Sequence, residues 1–92
     1  MRQDSAQLLG LRALAWLAAD DDLFAAFLAQ SGGDAAQLRA QAQDPALHCA
    51  VLDFILMRDD WVIGCAEAVG ARPEEMLMAR EILGGGDRVH WT

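Results

Sequence analysis

Apolar residues in this chain fall into short runs separated by acidic, glycine or proline breaks, and one run differs from the rest. Residues 44–58, DPALHCAVLDFILMR, open with a helix-start signal and are then apolar almost all round. Asp44 suits an N-cap, because its carboxylate can accept from backbone N–H groups that have no partner within the helix. Pro45 follows at the first helical position, where a missing N–H costs nothing. At 100° per residue, Val51, Phe54 and Ile55 fall within about 80° of Leu47, and Cys49, Leu52 and Leu56 cover the opposite side. Ala46, Ala50, Asp53 and Met57 are left as a narrow strip for solvent. A helix apolar on nearly every side is buried, so this one is expected to be central. Its length and lack of period-2 alternation exclude a strand.

The other runs read as shorter helices around it. Residues 4–19 form a first helix capped by Asp4 or Ser5. Leu8, Leu11, Leu14, Ala15 and Ala18 share one face of it, and Leu9 and Trp16 another. Gly10 lies inside this helix, where it costs up to about 1 kcal/mol against Ala and lets a neighbour approach closely. Asp20-Asp21-Asp22 interrupts the run and places carboxylates at the positive end of a second helix, about 21–30, with Leu23, Phe24, Phe27 and Leu28 on its apolar face. Ser31-Gly32-Gly33 ends it. Asp34 then caps a short third helix near 35–42, with Leu38 its one large apolar residue. After the central helix, Asp59 is the expected cap of a fifth, with Trp61, Val62, Cys65, Ala66 and Val69 on one face and Gly64 and Glu67 opposite. Gly70 stops it, and Arg72-Pro73-Glu74-Glu75 starts a sixth, carried to Gly84 by Met76, Leu77, Arg80, Ile82 and Leu83. The prediction is an all-α fold, a compact orthogonal bundle of five to six short helices around one central buried helix. Residues 1–83 make a single helical domain, and 84–92 a flexible Gly-rich C-terminal tail.

Composition adds a reason to look for a partner. A 92-residue chain has a modest core, yet 54% of these residues are hydrophobic, which leaves apolar surface outside. Eighteen of them are Ala, which sits harmlessly on exposed helix faces, so the excess is smaller than the percentage suggests. The net charge of −7 argues against nucleic acid, since phosphate binding needs a basic face, and against an anionic membrane surface. No run of apolar residues is long enough to span a bilayer, and MRQDSAQ lacks a signal-peptide layout, so the chain is expected to be cytoplasmic.

Candidate chemistry is sparse. Cys49 and Cys65 sit on different helices in apolar settings and read as small buried hydrophobes. Zinc needs three or four converging ligands, which two Cys and two His do not supply. The acidic triplet lacks the spacing of a calcium loop, and Gly84-Gly85-Gly86 follows a helix with no lysine after it, unlike a phosphate loop. The chain is therefore expected to have no catalytic, cofactor-binding or metal-binding residue and not to be an enzyme. Asp53, the one charge inside the central run, either lies on the solvent strip or pairs with an arginine, Arg12 and Arg39 being candidates; the half-exposed arrangement is preferred. Trp16 and Trp61 are expected in the core. Val89, His90 and Trp91 lie beyond the three glycines and form a candidate interaction segment, docking on this domain or a second copy, or else fraying.

The segments LRALAWLAAD (11–20), FLAQSGGDAAQLRAQAQDP (27–45), VLDFILMRDD (51–60) and GARPEEMLMAREIL (70–83) resemble a family of small, mainly alphaproteobacterial, proteins catalogued as a domain of unknown function. Members of that family often carry proline after the caps; here Asp21 and Ala35 follow Asp20 and Asp34. The resemblance implies an all-helical domain and supplies no activity. The function expected is a protein–protein interaction module, self-associating or bound to another protein. The alternative is a small apolar-ligand binder with a pocket lined by Trp16, Cys49 and Trp61.

Overall fold

In the computed structural model, which describes residues 1–84, the acidic and glycine breaks end one helix and start the next. The order is α1 Gln3–Ala18, α2 Asp21–Ser31, α3 Ala35–Ala40, α4 Pro45–Ile55, α5 Asp59–Val69 and α6 Pro73–Leu83, with no strand among the described residues. Asp20 accepts from the N–H groups of Asp22 and Leu23, both at 3.1 Å. Asp34 accepts from Gln37 at 2.8 Å and Asp44 from Ala46 at 2.9 Å. At the start of α6 the Glu75 carboxylate accepts from the Arg72 N–H at 2.8 Å, tying down the entry to the helix. Gly32 and Gly70 close α2 and α5 with φ of 78° and 75°, a left-handed turn that favours glycine.

Two caps differ from the sequence expectation. α1 begins at Gln3 after Arg2, with Asp4 inside its first turn rather than at the cap. α5 is preceded by Arg58, whose guanidinium grips Asp60 at 3.0 and 3.1 Å, so Asp59 is a first-turn residue. In both places the acid stays in the first turn, where the helix dipole favours it without a cap bond.

α4 is centrally placed, packing on α1, α5 and α6. Val51, Leu52, Phe54 and Ile55 are buried, and Ala46, Ala50, Asp53 and Met57 are exposed, as the helical wheel requires. α1 is the second hub, meeting α2, α4, α5 and α6. Its buried face takes Leu14 from one of the two apolar faces and Leu9 from the other: Ala6, Leu9, Gly10, Ala13, Leu14 and Leu17 face inward, while Leu8 is 48% exposed and Ala15 and Ala18 face solvent. The small residues decide the matter, since they let helices approach to where larger side chains would collide. α6 shows the same substitution of small for large, with Ala79 and Met76 buried and Leu77 51% exposed.

α1 and α4 approach closely at Gly10. A Cβ there would stand 2.7 Å from His48 Cβ and 2.9 Å from its Cγ. His48 is itself buried and its Nε2 donates to the Ala42 carbonyl at 2.6 Å, which ties α4 to the connection from α3. The carbonyl can only accept, so Nε2 carries a proton. Nδ1 is buried with no hydrogen-bond partner among the described residues.

The two helical glycines therefore predict opposite outcomes. Gly10→Ala should destabilise, because overpacking costs about 1–3 kcal/mol and outweighs a helix-propensity gain of about 1 kcal/mol. Gly64→Ala places its Cβ 3.5 Å from Trp16, an ordinary contact, and should be neutral or stabilising. Urea-unfolding midpoints of the two variants against the parent chain measure both signs.

Candidate functional site

The three exposed residues of α4, Ala46, Ala50 and Asp53, form one line with Met57 just past its end, because positions 46, 50, 53 and 57 recur at nearly whole turns. An open groove runs along each side of that line. The first lies between α4 and α6, holds about 430 Å³, and is walled by Ala46, Cys49, Ala50, Asp53, Arg80, Leu83 and Gly84. The second lies between α2 and α4, holds about 370 Å³, and is walled by Phe27, Gln30, Ser31, Ala50, Asp53, Phe54 and Met57. Ala50 and Asp53 belong to both, so the strip is the ridge between two adjoining depressions.

An aromatic ladder supports the second groove. Phe27 meets Phe54 edge-on with ring centres 5.4 Å apart, and Phe54 stacks on Trp61 at 4.8 Å. The Arg58 guanidinium lies 5.0 Å from the Trp61 ring, closing the ladder with a cation. Met57 stands 61% exposed above it, with the Gln30 amide donating to its sulfur at 3.6 Å. Methionine is flexible and polarisable, which lets such a rim adapt to what it meets. In the first groove Arg80 reaches Asp53 at 2.5 Å, with the Asp53 side chain 55% exposed.

This geometry settles several expectations from the sequence. Asp53 is half-exposed as preferred, but its partner is Arg80 rather than Arg12 or Arg39. Trp16 and Trp61 are half-buried residues packed against the edge of the core rather than inside it. Cys65 is fully buried, whereas Cys49 is half-buried on the wall of the α4–α6 groove. The three residues expected to line one ligand pocket take part in three different features. Trp16 lines a shallow groove with Arg12 and Val69, Cys49 lines the α4–α6 groove, and Trp61 stacks on Phe54. Val89, His90 and Trp91, the expected interaction segment, lie outside the described residues, as does the rest of the expected tail apart from Gly84. Gln30, Met57 and Arg80 contribute to the site without having been singled out for it. The exposed face of α4 already held Met57, but Gln30 and Arg80 come from distant helices and carry no local signal.

Among the described residues, no three His, Cys, Asp or Glu side chains come together as a metal ion requires. Burial pushes the Cys65 thiol from its ordinary 9.0 up to about 11. Among the described residues no helix is long and apolar enough to cross a membrane.

Two measurements follow from these side chains. The Asp53–Arg80 pair is partly exposed, so Asp53→Asn should change stability by no more than about 1 kcal/mol, and less in high salt; urea midpoints at two ionic strengths check it. Cys65 holds its proton more tightly in the folded state than in the unfolded one. Stability from this source is therefore complete below pH 9 and is lost as pH rises toward about 11. Unfolding curves across that window should fall more steeply for the parent chain than for Cys65→Ala.

No curated protein and no solved structure matches the chain. A family model described as "Protein of unknown function (DUF3572)" matches residues 3–86. That match takes in all six helices and both grooves, and the chain belongs to the DUF3572 family.

Proposed function

We propose that this chain is a non-catalytic protein-binding module, and that the α4 ridge with its two grooves is the surface that binds. The supporting observation is the composition of that surface. A central helix, packed on three others, leaves a line of two alanines, an ion-paired aspartate and a methionine outside, over a floor of Phe27 and Phe54. Small side chains on a ridge let another backbone approach closely, and the grooves beside it take the larger side chains of the incoming segment. The aromatic floor supplies apolar contact, while Asp53 and Arg80 supply a charge pair that fixes register. The occupant that suits this relief is an apolar helix or extended segment of a protein, either another protein or a second copy of this chain.

The exposed apolar residues agree with a protein that meets others. Leu8, Ile63, Leu77 and Met78 are 37–51% exposed, in addition to Met57. Net charge works in the same direction as before: at −7 the chain repels nucleic acid and anionic membranes and leaves proteins as the partner class. The same reading sets the module in the cytoplasm of a bacterium, where the resemblance to alphaproteobacterial chains points.

Ala50 is the residue to change, since it lies on the ridge, touches both grooves and is exposed. Ala50→Arg should leave the fold intact, as judged by circular dichroism and urea midpoint, and abolish binding. Light scattering at micromolar concentration reads self-association, and co-purification from alphaproteobacterial cells with mass spectrometry reads other partners. The parent chain should dimerise or retain a defined protein that Ala50→Arg does not. A strict monomer that retains the same proteins as Ala50→Arg would count against the proposal.

A further inference from the structure

α3 is lightly held. It is a helix of 6 residues, packs only loosely on the other helices, and has Leu38 as its buried anchor. Positions 35, 38 and 39, with 42 just past the helix end, share one face at 100° per residue. That face meets α1 and α2 with one leucine between two alanines, so it does not fill the space before it. A hollow of about 210 Å³ remains, walled by Leu14 of α1, Phe24 of α2 and Leu38, with Ala35 and Ala42 leaving the room. Arg39 also lines it and is exposed, which puts a guanidinium at its mouth. We propose that this hollow binds a small amphipathic carboxylate, a short-chain fatty acid, with its chain inside and its carboxylate on Arg39. The hollow shares no wall residue with the α4 ridge, and the inference goes beyond the protein-binding reading of that surface.

The walls select the body of the ligand. Every side chain lining the hollow other than Arg39 is apolar, so a polar molecule would lose hydration there without replacing it. An apolar cavity of about 150 Å³ takes up benzene, so this one admits a chain of about five or six carbons. A bound chain would add to α3 the apolar contact that Ala35 and Ala42 do not supply.

The guanidinium selects the head. Arg58, Arg72 and Arg80 each pair with a carboxylate of the chain. Arg39 makes no hydrogen bond or ion pair among the described residues, although acidic residues outnumber basic ones by 14 to 7. Its planar fork can hold a carboxylate through two parallel hydrogen bonds. The net charge of −7 disfavours anions in general. The apolar chain therefore supplies most of the affinity, and Arg39 orients it.

The experiment is a titration of the full-length chain with hexanoate, followed by the NMR methyl signals of Leu14 and Leu38, with Met57 on the ridge as control. Butanoate and hexanol are the comparison ligands. Hexanoate should shift the two leucine signals saturably and leave Met57 in place. Butanoate should bind about fifteenfold more weakly, since each buried methylene is worth about fourfold. Arg39→Gln should weaken hexanoate about threefold, as for an exposed ion pair, and leave hexanol binding unchanged. Ala35→Leu fills the hollow and should abolish the leucine shifts. Arg39 is exposed, so its variant keeps the fold and carries the test even where Ala35→Leu does not fold. Shifts that never saturate, or that fall on Met57 rather than the leucines, would overturn the proposal. So would equal affinity for hexanoate and butanoate, or Arg39→Gln binding hexanoate as the parent does.

Discussion

The contact between Gly10 and His48 sets the geometry on which the rest of the fold depends. α1 and α4 approach there until a single Cβ no longer fits, and the imidazole beneath is held by its bond to the Ala42 carbonyl. One buried side chain thus fixes two things: the distance between the two hub helices and the path of the chain entering α4. Asp44 and Pro45, between Ala42 and His48, then start α4 at a defined point. With its start and its distance from α1 fixed, the helix has one rotation left that buries Val51, Leu52 and Ile55 together. The exposed line at 46, 50, 53 and 57 follows from that rotation. A change at Gly10 is therefore felt at the ridge, although the two lie on opposite sides of α4.

The ridge is open because its neighbours stand apart. α6 packs on α4 closely, yet at its C-terminal end the long Arg80 side chain and Gly84 leave a depression rather than a seam. On the other side α2 packs chiefly on α1 and touches α4 through the Phe27–Phe54 ring pair, so the backbones stay separated above it. Edge-on aromatic contact is favourable without close backbone approach, which makes it suited to holding a groove open while keeping its floor dry. The ion pair between Asp53 and Arg80 lies where the two depressions join. At its exposure it contributes little to stability, and its value is in orientation: it holds a charge of each sign at a known place between grooves whose other wall residues are uncharged.

Much of this was legible in the sequence where local physics governs. Asp20, Asp34 and Asp44 cap because a carboxylate before a helix has unpaired N–H groups to meet, and Gly32 and Gly70 stop helices because they take a left-handed turn at no steric cost. The exposed strip of α4 followed from 100° steps, and Gly10 was readable as a point of close approach. What the sequence concealed depends on which elements meet. Leucines mark two faces of α1 by hydrophobicity without choosing between them, while Ala6, Gly10 and Ala13 mark the buried one by letting α4 and α6 come near. The partner of Asp53 is 27 positions away, and nothing local distinguishes Arg80 from Arg12 or Arg39. Trp16 and Trp61 are too large for the interior of so small a bundle and lie at its edge, one by a shallow groove and one beneath a guanidinium.

The most direct test of this account is the nuclear Overhauser contact between the Gly10 α-protons and the His48 β-protons in the native chain. The geometry puts these protons against each other with no side chain between, and predicts a cross-peak among the strongest long-range ones in the protein. Its absence, in a folded sample that shows the helical contacts within α1 and α4, would mean that the two helices do not meet at Gly10. The rotation of α4 and the ridge derived from it would then be wrong.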